Sequence, residues 1–332
     1  MTPKSGTNDA GHYDRASPSH RMHAYFADTD PLQLPPGHRF PAQKYGMLRE
    51  ALRTRAPDIQ VRAAPLAPVE DLLRVHAADY VQGVLEGKLS AQQQRDIGLP
   101  WTPITPLRSR RSVGATLAAL RAAQRDGIAA NLGGGTHHAG AQGGAGFCVF
   151  NDVAVATRLA QSMAAAQGRA VDVAIIDLDV HQGNGTADIF ADDRSVFTLS
   201  LHGEKNYPFQ KTSSDLDIEL PDGCRDQAYL SALQHALDTL DQRFHPDLVF
   251  FLAGADVHEG DRLGRLALSM DGVAQRDGMV LAWAKSRGLP CVMTMAGGYG
   301  RDLQTTVEVQ VQSLQLAAQA AQNWPLQRPF GS

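Results

Sequence analysis

Along Val173-Ala-Ile-Ile-Asp177-Leu-Asp179-Val-His181-Gln-Gly an apolar run ends by presenting two carboxylates and an imidazole at alternate positions. Side chains two apart on an extended chain share a face, so Asp177, Asp179 and His181 are expected to point the same way. Burying such groups together is costly unless a cation or a hydrogen-bond network holds them. They read as one half of a metal site, and Asp256 in Gly254-Ala-Asp256-Val-His258 completes it. A catalytic zinc takes three protein ligands and keeps a further position for water, a set that Asp179, His181 and Asp256 supply. Manganese or iron suits the same donors. Any of them would acidify a bound water and polarise a carbonyl oxygen.

Two further motifs fit that chemistry. In Gly133-Gly-Gly-Thr-His137-His138-Ala, adjacent imidazoles follow a glycine-rich turn, and histidine is the side chain whose ordinary pKa lies nearest neutrality. A second glycine-rich loop, Gly143-Gly-Ala-Gly146-Phe147, permits close approach of backbone to a ligand. In Ala296-Gly297-Gly298-Tyr299 a phenol follows a flexible turn, placed to donate to a developing oxyanion. Singly each has a plainer reading: a capping Asp, a core histidine, a loop aromatic. Their weight comes from occurring together.

Positioning them requires elements that end at one place. Apolar runs at Met22 to Ala27, Ile128 to Leu132, Val171 to Leu178, Ser195 to Leu201, Leu248 to Ala253 and Cys291 to Met295 read as buried strands. Helices are expected at about 41–56, 109–126, 151–167, 226–243, 271–287 and 302–322. Pro41 opens the first, Ser109 and Asn151 cap the second and third, and Gly127, Gly168 and Gly288 mark three ends. Leu230, Leu233, Leu237 and Leu240 form one core stripe; Val307, Val311, Leu314 and Ala318 form another. Alternating strands and helices imply an α/β fold with a mostly parallel central sheet and helices on both faces. In such sheets ligands sit beyond the carboxyl ends of the strands, where all the polar motifs fall.

A chain of 332 residues, 43% of them hydrophobic, is expected to form one catalytic domain over residues 21–325. Residues 1–20 read as a disordered tail. A net charge of −4 with no dense basic run gives no nucleic-acid or membrane footprint. Three scattered cysteines, Cys148, Cys224 and Cys291, argue against a disulfide framework, and the expected compartment is the cytoplasm.

Taken in order, the His137-His138 motif, Gly146-Phe147-Cys148-Val-Phe-Asn151-Asp152, Asp177-Leu-Asp179-Val-His181-Gln-Gly-Asn184-Gly, Ser200-Leu201-His202, Ala255-Asp256-Val-His258-x-x-Asp261-x-Leu263-Gly264 and Gly297-Gly298-Tyr299 resemble the zinc-dependent histone deacetylase superfamily. The resemblance spans roughly residues 22–320 and includes Val75-His76-x-x-Asp79-Tyr80-Val81. Gly-His38-x-Phe40-Pro41-x-x-Lys44-Tyr45 and Leu99-Pro100-Trp101-x-Pro103 look most like class IV and related bacterial members.

The resemblance implies the arginase/deacetylase fold, with one zinc on Asp179, His181 and Asp256. It implies His138 as general base and then acid, His137 as its electrostatic partner, Asp177 orienting His137, and Tyr299 as oxyanion donor. Gly146, Phe147, Gly297 and Gly298 would line a substrate channel. Asn184 stands where class I members carry an Asp, which would leave His138 less basic. Structural potassium is implied near Asp177, Asp179, His181, Ser200 and Leu201. The implied substrate is an acylated, most simply acetylated, lysine in a protein or peptide. Rivals are a small acetylated amine such as an acetylpolyamine, a longer acyl group, and a silent acyl-lysine binding module. A dinuclear manganese hydrolase would need an Asp where this chain has Gly183.

Overall fold

A strand covered on both faces has no solvent side, so its sequence is an unbroken apolar run. Val173–Asp177, Leu248–Leu252 and Cys291–Thr294 are of this kind, and all their residues are buried. The computed structural model, which describes residues 21–326, sets them at the centre of one eight-stranded sheet. The expected tail, residues 1–20, lies outside the described residues.

In chain order the elements are β1 (Met22–Phe26), α1 (Gln43–Arg55), β2 (Ile59–Ala63), α2 (Val69–Leu72), α3 (Ala78–Glu86), α4 (Ala91–Ile97), α5 (Ile104–Asp126), β3 (Ile128–Asn131), α6 (Asp152–Ala165), β4 (Val173–Asp177), α7 (Asn184–Phe190), β5 (Val196–Gly203), β6 (Leu216–Leu220), α8 (Asp226–Arg243), β7 (Leu248–Leu252), a 3-10 turn (Ala255–Val257), α9 (Met270–Ser286), β8 (Cys291–Thr294) and α10 (Leu303–Ala321). The strands lie in the order β2-β1-β3-β8-β7-β4-β5-β6, and every pairing is parallel.

Alternate residues of the strands feed two apolar cores, one on each face. Ala24, Ala130, Ile176, Phe251 and Met293 pack with α1, α8, α9 and α10. Tyr25, Ala129, Ile175, Phe250 and Val292 pack with α3, α5 and α6. The three cysteines are free and buried, Cys224 and Cys291 in the first of these cores and Cys148 in the wall of a cavity. Among the described residues no helix is long and apolar enough to cross a membrane.

Several expectations shift. The edge strands β2 and β6 are only partly buried, so their polar–apolar sequences lack the continuous run that marks a central strand. α4 carries a capping box from Ser90 to Gln93, a signal present in the sequence. Ser109 does not cap α5: the helix starts at Ile104 behind Pro103, and Ser109 donates its hydroxyl to the Thr105 carbonyl 2.8 Å away. Asn151 does cap α6, accepting from the Ala154 amide. Leu230 is only half-buried on α8, where Tyr229 takes the core position. β4 stops at Asp177, so Asp179 and His181 lie on the loop beyond it rather than on strand positions sharing a face.

Candidate active site

Because β3, β8, β7 and β4 are parallel neighbours, their carboxyl ends open on the same edge of the sheet. The loop after β4 carries Asp179 and His181, the 3-10 turn after β7 carries Asp256, the loop after β3 carries His137 and His138, and the loop after β8 carries Tyr299. Four segments far apart in sequence are thereby brought to one place.

Asp179, His181 and Asp256 offer ligand atoms that all lie within 4.8 Å of one another. His181 Nδ1 is 2.9 Å from Asp179 Oδ1 and 3.2 Å from Asp256 Oδ2. Backbone amides fix both carboxylates: Gly297 donates to Asp179 Oδ2 at 2.7 Å and Val180 to Asp256 Oδ1 at 3.0 Å. Asp256 Oδ2 is buried and accepts no hydrogen bond. Burial disfavours charge on His181, but the Asp179 and Asp256 carboxylates outweigh it and push the imidazole up to about 10. Burial and the charge of Asp179 push Asp256 up to about 7. The cluster therefore gathers converging acceptors around a point that carries no fixed positive charge of its own. A divalent cation would satisfy the same lone pairs, so the residues fit a metal, with zinc, manganese and iron all compatible with the donors.

The paired histidines have different partners. His137 Nδ1 lies 2.6 Å from Asp177 Oδ2, and burial is overcome by Asp177 and Asp179, which raise His137 to about 9. His138 Nδ1 lies 2.7 Å from Asn184 Oδ1. An amide oxygen only accepts, so His138 carries its proton on Nδ1 and leaves Nε2 with a free lone pair. Burial, with the charges of His137 and His181, holds His138 well below the usual histidine range. The two rings are 4.1 Å apart, and His138 stands 5.8 Å from His181.

A cavity of about 440 Å³ joins these groups and is lined by His137, His138, Asp179, His181, Phe147 and Tyr299. Gly146 and Gly297 are also in its wall, whereas Gly298 is not; the Gly298 carbonyl instead accepts from Lys44 at 3.1 Å. Gly146 has φ 53°, and a Cβ there would lie 2.6 Å from His138 Cδ2. The Tyr299 ring stands 6.2 Å from that of His181, and burial raises its phenol well above the usual range. Its amide donates to Asp261 Oδ2 at 2.5 Å, which fixes the loop. Ser200 on β5 lies beside Asp177 on β4, so the strand ends named for potassium are neighbours.

Other residues of the site carried no motif. Tyr207 stacks edge-on against His138 at 4.8 Å, from a loop whose aromatics look like any others. Arg276 on α9 is fully buried and donates to the carbonyls of Gly254 at 2.6 Å and Leu178 at 3.3 Å, just before the metal-ligand positions. Its neighbour Asp277 answers the charge at 2.7 Å. The adjacent Arg-Asp pair was the only signal, and a helix surface pair looks the same.

The sequence model of the histone deacetylase domain matches residues 38–314. The chain is 43% identical over 277 residues to an uncharacterised protein of Picosynechococcus sp., covering 82% of this chain and 91% of that one. It is 31% identical over 290 residues to histone deacetylase 2 of Arabidopsis thaliana, covering 83% and 73% respectively. Among solved structures it shares its fold with an HDAC homolog complexed with SAHA, at a TM-score of 0.73 and 22% identity over 89% of this chain and 83% of the other.

Proposed function

The chain belongs to the histone deacetylase family, and we propose that it hydrolyses the side-chain amide of an acyl-lysine, most simply acetyl-lysine, in a protein or peptide. The observation that carries this reading is one cavity lined by Asp179, His181, a neutral His138 and the Tyr299 phenol, with Asp256 behind it offering a ligand atom within 4.8 Å of those of Asp179 and His181.

When bound by Asp179, His181 and Asp256, a zinc ion supplies an acidified water and an electrophile for the amide carbonyl. His138 Nε2 accepts the proton of the attacking water. The Asn184 amide holds the imidazole in the tautomer that permits this. Asp177 fixes His137 beside it, so a proton arriving on His138 faces a ring already committed to a carboxylate. The Tyr299 hydroxyl donates to the oxyanion as the carbonyl carbon becomes tetrahedral. His138 then returns a proton to the departing lysine nitrogen, which is too basic to leave as an anion. Gly146 and Phe147 flank the alkyl chain, and Phe209, 89% exposed, offers an apolar contact at the mouth.

Arg39, Lys205 and Arg265 also line the cavity, and Asp179 is its only lining carboxylate among the described residues. Arg265 and Lys205 are paired with Asp222 and Glu204, so the lining charge does not choose between a peptide and an acetylpolyamine. The test compares Asp179→Ala, His138→Ala and Tyr299→Phe for metal content and turnover. Asp179→Ala should lose metal. The other two should keep it and lose roughly 10²- to 10³-fold in kcat. Full turnover by Tyr299→Phe would remove the phenol from the mechanism.

A further inference from the structure

The wall of the catalytic cavity holds two buried cations that take no part in the bond-making steps proposed above. Lys44 is 1% exposed and Arg108 is 7% exposed, and both line the cavity. Lys44 Nζ lies 5.3 Å from the centroid of the Tyr299 ring and 5.3 Å from that of Tyr45. It donates to the carbonyls of Ala296, at 3.4 Å, and Gly298, at 3.1 Å. The Arg108 guanidinium sits 4.8 Å from the same Tyr45 ring. Among the described residues Arg108 makes no hydrogen bond and no ion pair, so a planar fork of donors faces the cavity unanswered. Ser112, also buried, adds a hydroxyl to that wall.

Burying a guanidinium without an acceptor or counter-charge is expensive, and the cost falls once a carboxylate is bound bidentately. The carboxylates nearest the reacting centre are already engaged, by His181 and by the metal they fit. The missing anion must come from the ligand. An amide carbonyl held at Tyr299 has Lys44 beside it, and Arg108 over Lys44's other ring partner, Tyr45, all in one cavity wall. A neutral acetyl group offers the cations an anion only after hydrolysis, as acetate, whereas an acyl group with its own terminal carboxylate answers them on binding.

We propose that Arg108, with Lys44 beside it, forms a carboxylate subsite, and that the acyl groups this enzyme prefers are short dicarboxylic ones such as succinyl or glutaryl. The inference rests on the acyl-lysine reading and names the acyl class. The bond changes are those of amide hydrolysis: water adds to the carbonyl carbon, the C–N bond breaks, the diacid leaves as its dianion, and the lysine amine takes up a proton.

The test uses the full-length zinc-loaded protein and two peptides that differ only at the acyl end, succinyl-lysine and butyryl-lysine, read by kcat/KM and by calorimetric binding. Succinyl should be favoured by about tenfold or more in both, the scale of one charge-assisted hydrogen-bond pair. Arg108→Gln should bring that ratio to about one, and Arg108→Lys should retain part of it. Equal or better binding of butyryl-lysine by the unaltered protein overturns the subsite, as does a ratio unmoved by Arg108→Gln. Selective binding of succinyl-lysine without hydrolysis of any peptide keeps the subsite and overturns the deacylase reading instead.

Discussion

Gly297 abuts Asp179 and Asp256, the two carboxylates proposed to hold the metal. A Cβ at this position would lie 1.9 Å from Asp256 Oδ2 and 2.6 Å from Asp179 Oδ2, inside the contact distance of any real atom pair. Gly297→Ala is therefore expected to splay the two carboxylates and deplete bound metal, which elemental analysis of the folded protein would detect; full occupancy would show that the loop yields instead. The ligands, the histidine pair and the tyrosine were legible in the sequence because carboxylates and imidazoles beside apolar runs are chemically conspicuous. In the sequence Lys44 stands out only as one letter of a motif, and Arg108 does not stand out at all. Nothing in a helical sequence tells a cation that faces a cavity from one that faces water.

At the scale of elements, α9 braces the two strand ends beyond which Asp179, His181 and Asp256 lie. Arg276 ties the Leu178 and Gly254 carbonyls together from behind the site, and Asp277 links α9 to α10 through the Ser313 hydroxyl. Removing one member of a buried pair strands the other charge, so Arg276→Leu should destabilise the fold by about 3–5 kcal/mol in urea unfolding. The double change Arg276→Leu with Asp277→Leu should cost much less. Equal losses from the single and double changes would mean that the carbonyl contacts, not the ion pair, carry the effect. Central strands and long helices were readable because their burial leaves an uninterrupted or 3.6-residue pattern. The edge strands β2 and β6 and the short helices α2, α3 and α7 were not, because their stability comes from neighbours far away in sequence.

Across the whole molecule, loops depend on buried polar residues distant from them in sequence. His76, before α3, accepts from the Asn151 amide at Nε2 and bonds the Gly140 carbonyl through Nδ1, so it is neutral in the fold. Burial lowers it from 6.5 to about 4, the Gly140 contact opposing. Between those values the unfolded chain holds the extra proton, so this contribution to stability is complete above about pH 6.5 and is lost as pH falls toward 4. The loss is about 3 kcal/mol by pH 4. Thermal unfolding followed from pH 7 to 4 should show a shallower decline for His76→Asn than for the unaltered protein; parallel declines would remove His76 as the cause. The sheet as a whole brings four distant loops to one edge, and the central claim is that this edge is a metal-dependent amide-hydrolysing centre. Hydrolysis of acetyl-, butyryl- and succinyl-lysine peptides, measured before chelation, after chelation and after zinc is restored, tests that claim most directly. Turnover of at least one peptide is expected, with its loss on chelation and its return with zinc. Full zinc loading with no product from any of them would contradict it.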